Sequence, residues 1–235
     1  MRRRGARTFL RRSVRRALMR LFLSSYRFGK HEDRFAALVG TPGPVAVIPN
    51  ACDAWPAAWQ GAITSDLKPL RDRGFRPDVV DLREFTGREA ELERALTRFP
   101  LIWVRGGNTF VLRARFALSG ADLVLPRLLA ADAVAYAGYS AGACLLTPDL
   151  RGIEAVDDPG EVPPACGIEA RWDGLGVVDH RIVPHVGSPG TDPDGACDRI
   201  ADRYRAEGVA HWALTDDDAV VVDGDRVEVL VTPGS

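Results

Sequence analysis

From Arg20 onward, short runs of consecutive apolar residues alternate with longer stretches in which apolar positions return every three or four residues. The first kind suits strands buried on both faces, and the second suits helices lying against them. The runs are RLFLS (20–24), PVAVIP (44–49), DVVDL (78–82), LIWV (101–104), VAYAG (134–138), RIVPH (181–185) and HWALT (211–215). Helical patterns fall at 31–39, 87–98, 109–118, 121–131, 141–146 and 194–207, several with Asp or Asn near the start. This order predicts an α/β three-layer sandwich: a mostly parallel central sheet, built from the seven runs, with helices on both faces. At the end, AVVVDGDRVEVLV (219–231) alternates around Asp223-Gly224 and predicts a C-terminal β-hairpin. Residues 148–180, rich in Pro, Gly and Asp, follow neither pattern, which marks a functional or mobile stretch.

A length of 235 residues with 46% hydrophobic content suits one well-filled core, so residues 19–235 read as a single domain. The formal net charge of -1 hides an asymmetry. Residues 1–18 carry eight arginines and no acid, which leaves -9 on the remainder. The basic segment reads as a disordered extension, or as lying upstream of a natural start at Met19. An acidic body offers no broad cationic face to a phosphate backbone, so nucleic acid is not an expected partner. No apolar stretch has the length of a membrane span. Four cysteines (Cys52, Cys144, Cys166, Cys197) stand apart, with no Cys-x-x-Cys pair, which fits a reduced cytoplasmic setting and no structural metal.

In open α/β sheets ligands sit beyond the carboxyl ends of the strands. The residues there are Ser24-Ser25, Asn50, Gly106-Gly107-Asn108, Ser140, His185 and Asp216 to Asp218. Ser140 falls between a strand and a helix within Gly138-Tyr139-Ser140-Ala141-Gly142, the nucleophile-elbow pattern. A sharp turn there holds the serine in a strained conformation, and the small flanking residues let the chain double back. The Ala141 N–H is then placed to meet a developing oxyanion, with the Gly107 N–H as second donor. A serine needs a base. Of the four histidines, His180 and His211 begin their strands and His31 opens a helix, whereas His185 closes a strand at the correct edge. For the acid that orients the imidazole, Asp216 follows run 211–215 directly. Asp217, Asp218, Asp157 and Asp158 remain open as alternatives. Asn108 reads either as a substrate contact or as a helix N-cap. Tyr139 and Arg105 flank the same turns and are taken as substrate contacts.

Together these segments resemble the peptidase E (aspartyl dipeptidase) and cyanophycinase family of serine peptidases, whose fold is like that of class I glutamine amidotransferases. The resemblance rests on Gly106-Gly107-Asn108-Thr109, Gly138-Tyr139-Ser140-Ala141-Gly142-Ala143 and Pro184-His185, in that order, and covers most of the chain from Met19. It implies hydrolysis of small peptides through an acyl-enzyme, with no metal or organic cofactor, and it is compatible with a homodimer. The chain departs from the family in three places. Arg105 stands where the family has a glycine. Asp216 matches a position assigned to Glu in peptidase E. The arginine that looks responsible there for gripping an N-terminal aspartate aligns with Ala196, with Arg199 one turn on.

Two other readings stand beside the peptidase: a cyanophycinase-like hydrolase of acidic polymer, and a non-catalytic binding protein on an amidotransferase-like scaffold. A glutaminase is disfavoured because Cys144 lies four residues beyond the elbow position and reads as core packing.

Overall fold

A computed structural model describes residues 19–232, and the basic extension expected at 1–18 lies outside them. In chain order the strands and helices are β1 (Arg20–Ser24), α1 (Glu32–Val39), β2 (Pro44–Ile48), α2 (Trp59–Asp72), β3 (Arg76–Val79) and α3 (Glu89–Leu96). There follow β4 (Leu101–Val104), α4 (Thr109–Ser119), α5 (Ala121–Ala130), β5 (Ala135–Tyr139), α6 (Ala141–Cys144) and α7 (Val162–Cys166). The last are β6 (Arg181–Val183), α8 (Ala196–Glu207), β7 (His211–Ala213), β8 (Ala219–Asp223) and β9 (Arg226–Leu230).

The central sheet has seven strands in the order β3-β2-β4-β5-β1-β8-β9. The first five run parallel, and the terminal hairpin β8-β9 adds antiparallel to β1. Because side chains alternate across a strand, each strand supplies both cores. Leu21, Leu23, Ile48, Ile102, Val104 and Tyr136 face the layer of α3, α4, α5 and α6. Phe22, Val45, Val47, Trp103 and Ala137 face the opposite way, toward Phe35 of α1 and Leu70 of α2. The α/β sandwich with a mostly parallel sheet and a terminal hairpin is thus the architecture observed.

The membership of the sheet differs from the reading of the runs. RIVPH and HWALT do not join it. Their cores, β6 and β7, pair in parallel with each other as a separate two-stranded sheet. The place beside β1 is taken instead by β8, which pairs with it along its whole length. The run 78–82 is also displaced, because β3 is Arg76–Val79, an edge strand with mostly exposed side chains and no clear apolar period. Beyond it, the Asp81 side chain accepts the Arg83 N–H at 3.0 Å and starts a 3-10 turn at Leu82–Phe85. Helix α2 had no predicted counterpart. Its buried stripe of Ala62, Asp66 and Leu70 has helical spacing, but a buried aspartate and Pro69 disguise it.

The irregular stretch 148–180 is pinned to the helical layer. Arg113 of α4 is 2% exposed and pairs with Asp122 at 3.0 Å and Asp173 at 2.7 Å. The Leu150 N–H donates to the Trp172 carbonyl at 2.9 Å, and Trp172 packs edge-on against Phe110. Among the described residues no helix is long and apolar enough to cross a membrane.

Candidate active site

Strands β1, β4 and β5 are neighbours, so the turns leaving their carboxyl ends converge on one patch of the sheet rim. Ser140 leaves β5 at φ 50° and ψ -118°, a left-handed conformation that an L-residue holds only under constraint. The constraint is visible in the flanking glycines. A Cβ on Gly138 would meet the Gly142 carbonyl oxygen at 2.7 Å, and one on Gly142 would meet the Val104 oxygen at 2.3 Å. Only hydrogen at both positions lets strand, turn and helix pass this closely. The Gly106-Gly107 turn from β4 lies against Ser140, since a Cβ on Gly106 would approach the Ser140 Cβ to 2.9 Å. Gly107 has φ 147° and is blocked from a side chain by the Ala51 carbonyl. Neither the Gly107 nor the Ala141 N–H donates a hydrogen bond among the described residues.

The strand ends of the small sheet bring the other two groups. His185 follows β6, also at a positive φ of 62°, and its Nε2 is 3.0 Å from Ser140 Oγ. Its Nδ1 is 2.6 Å from Oδ1 of Asp216, which follows β7. Burial alone would push the Asp216 carboxyl up. Hydrogen bonds from His185, Thr191 and Ser25 outweigh it and hold the group below the usual aspartate range. With Asp216 ionised, Nδ1 carries the imidazole proton and Nε2 is left to accept from the Ser140 hydroxyl.

Three residues that complete this arrangement carried no assigned role in the sequence reading. Ser25, at the end of β1, donates to Asp216 Oδ1 at 3.0 Å and accepts the His185 backbone N–H at 2.7 Å. Thr191 donates to Asp216 Oδ2 at 2.7 Å, and Ser188 accepts the Asp216 N–H at 3.0 Å. Ser25 was legible as a polar residue at a strand's carboxyl end. Thr191 and Ser188 sit in an irregular loop whose path no periodicity reveals.

The other aspartates go elsewhere. Asp217 pairs with Lys30 at 2.6 Å, and Asp218 accepts from the Thr215 N–H and hydroxyl at 2.9 and 2.7 Å. Asp158 starts a 3-10 turn by accepting the Gly160 N–H at 2.7 Å. Asp157 accepts from the Thr109 N–H at 2.9 Å and its hydroxyl at 2.5 Å, and burial pushes its carboxyl up to about 6 despite these bonds.

Asn108 is a helix cap and not a pocket residue. It is 1% exposed, its Oδ1 accepts from the N–H groups of Phe110 and Val111, and its Nδ2 donates to Asp158 O and Glu161. Arg105 and Tyr139 do line the pocket, but their polar ends are turned to α2. Arg105 pairs with the fully buried Asp66 carboxylate at 2.8 Å, and the Tyr139 hydroxyl donates to the same group at 2.9 Å. Cys144 is buried, with its thiol 3.5 Å from the Ile182 carbonyl and its pKa driven well up by burial. Ala196 begins α8, and Arg199 donates to the Asp194 carbonyl; neither lines the pocket.

A hydroxyl, an imidazole and a carboxylate hydrogen-bonded in series at the carboxyl edge of an α/β sheet form the constellation that serine hydrolases use. The model of Peptidase family S51 matches residues 22–230, and the chain belongs to that family. The chain is 32% identical over 107 residues to Uncharacterized peptidase Lin0382 of Listeria innocua, a match covering 46% of this chain and 49% of that one. It thus spans about half the length of that relative. It is 26% identical over 165 residues to Uncharacterized peptidase Lmo0363 of Listeria monocytogenes, covering 70% and 76%. Among solved structures, a candidate peptidase E protein from Listeria monocytogenes EGD-e superposes with a TM-score of 0.75 at 24% identity, over 92% of this chain and all of that one. A peptidase from an acI-B1 Actinobacterium superposes at 0.56 with 14% identity, over 93% of each chain. These two likenesses bear on the fold.

Proposed function

We propose that the chain is a serine-type peptidase that hydrolyses small peptides through an acyl-enzyme. The observation that carries this is the Ser140 Oγ to His185 Nε2 separation of 3.0 Å, with Asp216 2.6 Å behind the same ring. In the first half-reaction Ser140 Oγ attacks the peptide carbonyl carbon while its proton passes to Nε2 of His185. Asp216 keeps the ring in the tautomer with Nδ1 protonated and stabilises the imidazolium. The oxyanion is met by the Gly107 and Ala141 N–H groups. Nε2 returns the proton to the leaving amine as the C–N bond breaks, leaving an ester on Ser140. Water, deprotonated by the same nitrogen, then attacks the ester carbon, and the bond to Ser140 Oγ breaks as Nε2 returns the proton to that oxygen, releasing the acid. A pocket of about 220 Å³, walled by Tyr26, Tyr139 and Thr191, suits a substrate of dipeptide size.

A fluorophosphonate probe tests the nucleophile. Wild type should be labelled and Ser140→Ala should not; equal labelling of both would remove the proposal. A screen of free and N-blocked dipeptides tests the substrate class. The reading is of a dipeptidase or exopeptidase, which requires a free chain end; equal turnover of blocked peptides would exclude that while leaving the hydrolase intact.

A further inference from the structure

A second concavity lies on the rim of the central sheet opposite Ser140. Pro44 opens β2, Arg76 opens β3 and Phe99 stands just before β4, so the amino ends of three neighbouring strands meet there. Arg71 reaches it from the last turn of α2, and Arg98 from the turn after α3. The groove has a volume of about 560 Å³, against about 220 Å³ for the pocket beside Ser140. Phe75 and Phe99 are 7% and 6% exposed, so both rings belong to the packed interior and, with Pro44 and Pro77, give the groove apolar walls.

Its charge is unbalanced. Arg71, Arg76 and Arg98 line it with a single carboxylate, Asp78, which leaves three minus one, or +2, on the walls of a body that carries -9. Among the described residues no ion pair or side-chain hydrogen bond engages any of these four, and Arg98 only lies with its guanidinium carbon 5.8 Å from the Phe99 ring centroid. The acids that flank this stretch are committed to other cations, Asp72 to Lys68 at 2.6 Å and Glu32 to Arg73. Like charges around one groove with apolar walls repel each other and focus a positive field into it. An anion bound there relieves the repulsion.

We propose that this groove binds a small ligand carrying a diphosphate group. Guanidinium forks from α2, β3 and the turn after α3 offer more donors than one carboxylate can accept, whereas a diphosphate presents acceptor oxygens on several sides. The free edge of β3 is ill suited to adding an acidic peptide as a strand. Arg76 and Val80 turn their N–H groups toward β2, which leaves Pro77 facing outward, and Pro77 has no N–H to offer. The proposal does not depend on the peptidase reading, and either can fail alone.

Calorimetric titration of the full chain with sodium pyrophosphate, inorganic phosphate and adenosine diphosphate tests it. Pyrophosphate should bind once per chain and more tightly than phosphate. Adenosine diphosphate binding more tightly still would mark an organic diphosphate whose body rests on the Phe75 and Phe99 walls; binding equal to pyrophosphate would mark the free ion. Arg76→Gln and Arg98→Gln should each weaken pyrophosphate roughly 10- to 100-fold. Asp78→Asn should strengthen it, and Arg205→Gln on α8 should leave it unchanged. Arg76, Asp78 and Arg98 are exposed, so these variants should melt with wild type. No binding at millimolar pyrophosphate, an affinity unchanged by Arg76→Gln and Arg98→Gln, or an equal loss in Arg205→Gln would each overturn the site.

Discussion

Ser25 joins the backbone of His185 to the carboxylate of Asp216. One hydroxyl accepts the His185 N–H at 2.7 Å and donates to Asp216 Oδ1 at 3.0 Å. A residue just beyond β1 of the central sheet thereby ties together two groups that follow the strands of the small one. Ser25→Ala should lower kcat about tenfold with little change in KM, because it loosens the imidazole without touching the substrate pocket. Steady-state kinetics on any cleaved dipeptide check this, and a change confined to KM would contradict it.

Asp216→Asn keeps the shape of the acid but can no longer accept the Nδ1 proton as an anion, so the ring is free to take the other tautomer. Turnover should fall by about 10³ to 10⁴ while circular dichroism stays unchanged. The rate of fluorophosphonate labelling of Ser140 should fall in parallel. Labelling at the wild-type rate would mean that Asp216 does not orient the base.

Gly107→Ala places a Cβ 2.6 Å from the Ala51 carbonyl and must turn the peptide unit whose N–H is proposed as an oxyanion donor. Loss of one such donor costs on the order of 10² to 10³ in kcat. The check is kcat at saturating substrate together with a thermal melt. A folded variant with wild-type kcat would exclude the Gly107 N–H from the oxyanion hole.

Asp66→Ala strands the Arg105 guanidinium against the interior, next to Cys52 and the Ser65 hydroxyl. Removing one partner of a buried pair costs roughly 3 to 5 kcal/mol. Urea unfolding at neutral pH measures it. A loss below about 1 kcal/mol would point to a solvated Arg105.

The Asp157 carboxyl, raised by burial to about 6, makes stability pH-dependent in a definite direction. An aspartate in the unfolded chain titrates near ~3.9. Between these values the folded protein holds a proton that the unfolded chain has released, so stability falls as pH rises from about 4 to 6 and then levels off. Asp157→Asn should remove this slope, read as the difference in melting temperature between variant and wild type from pH 4 to 7. Parallel curves would contradict the raised value.

What the sequence disclosed, it disclosed through constraints that act locally. The elbow was legible because the chain can turn at Ser140 only with glycine at 138 and 142, and those glycines stand in the sequence. That His185 and Asp216 would come to the same rim as Ser140 was legible because each directly follows a short apolar run. Sheet membership was not, since RIV and HWA carry the same apolar signal whether they pair with β1 or with each other. Long-range pairing decided that, when β8 occupied the edge of β1. The Asn108 side chain was ambiguous for a similar reason. An amide that caps a helix and one that holds a substrate look alike until Asp158 and Glu161 are brought up to it.

The division into two sheets has a mechanical consequence. The Ser140 hydroxyl leaves the large sheet and the His185 imidazole the small one, so the 3.0 Å between them measures how well the two sheets are docked. Ile182 of the small sheet and Leu214, just beyond its second strand, are buried in the same core cluster as Leu21 and Leu23 of the large one. Trimming either one should slacken the docking and silence the chemistry at temperatures where the large sheet is still intact. Inactivation would then run ahead of unfolding.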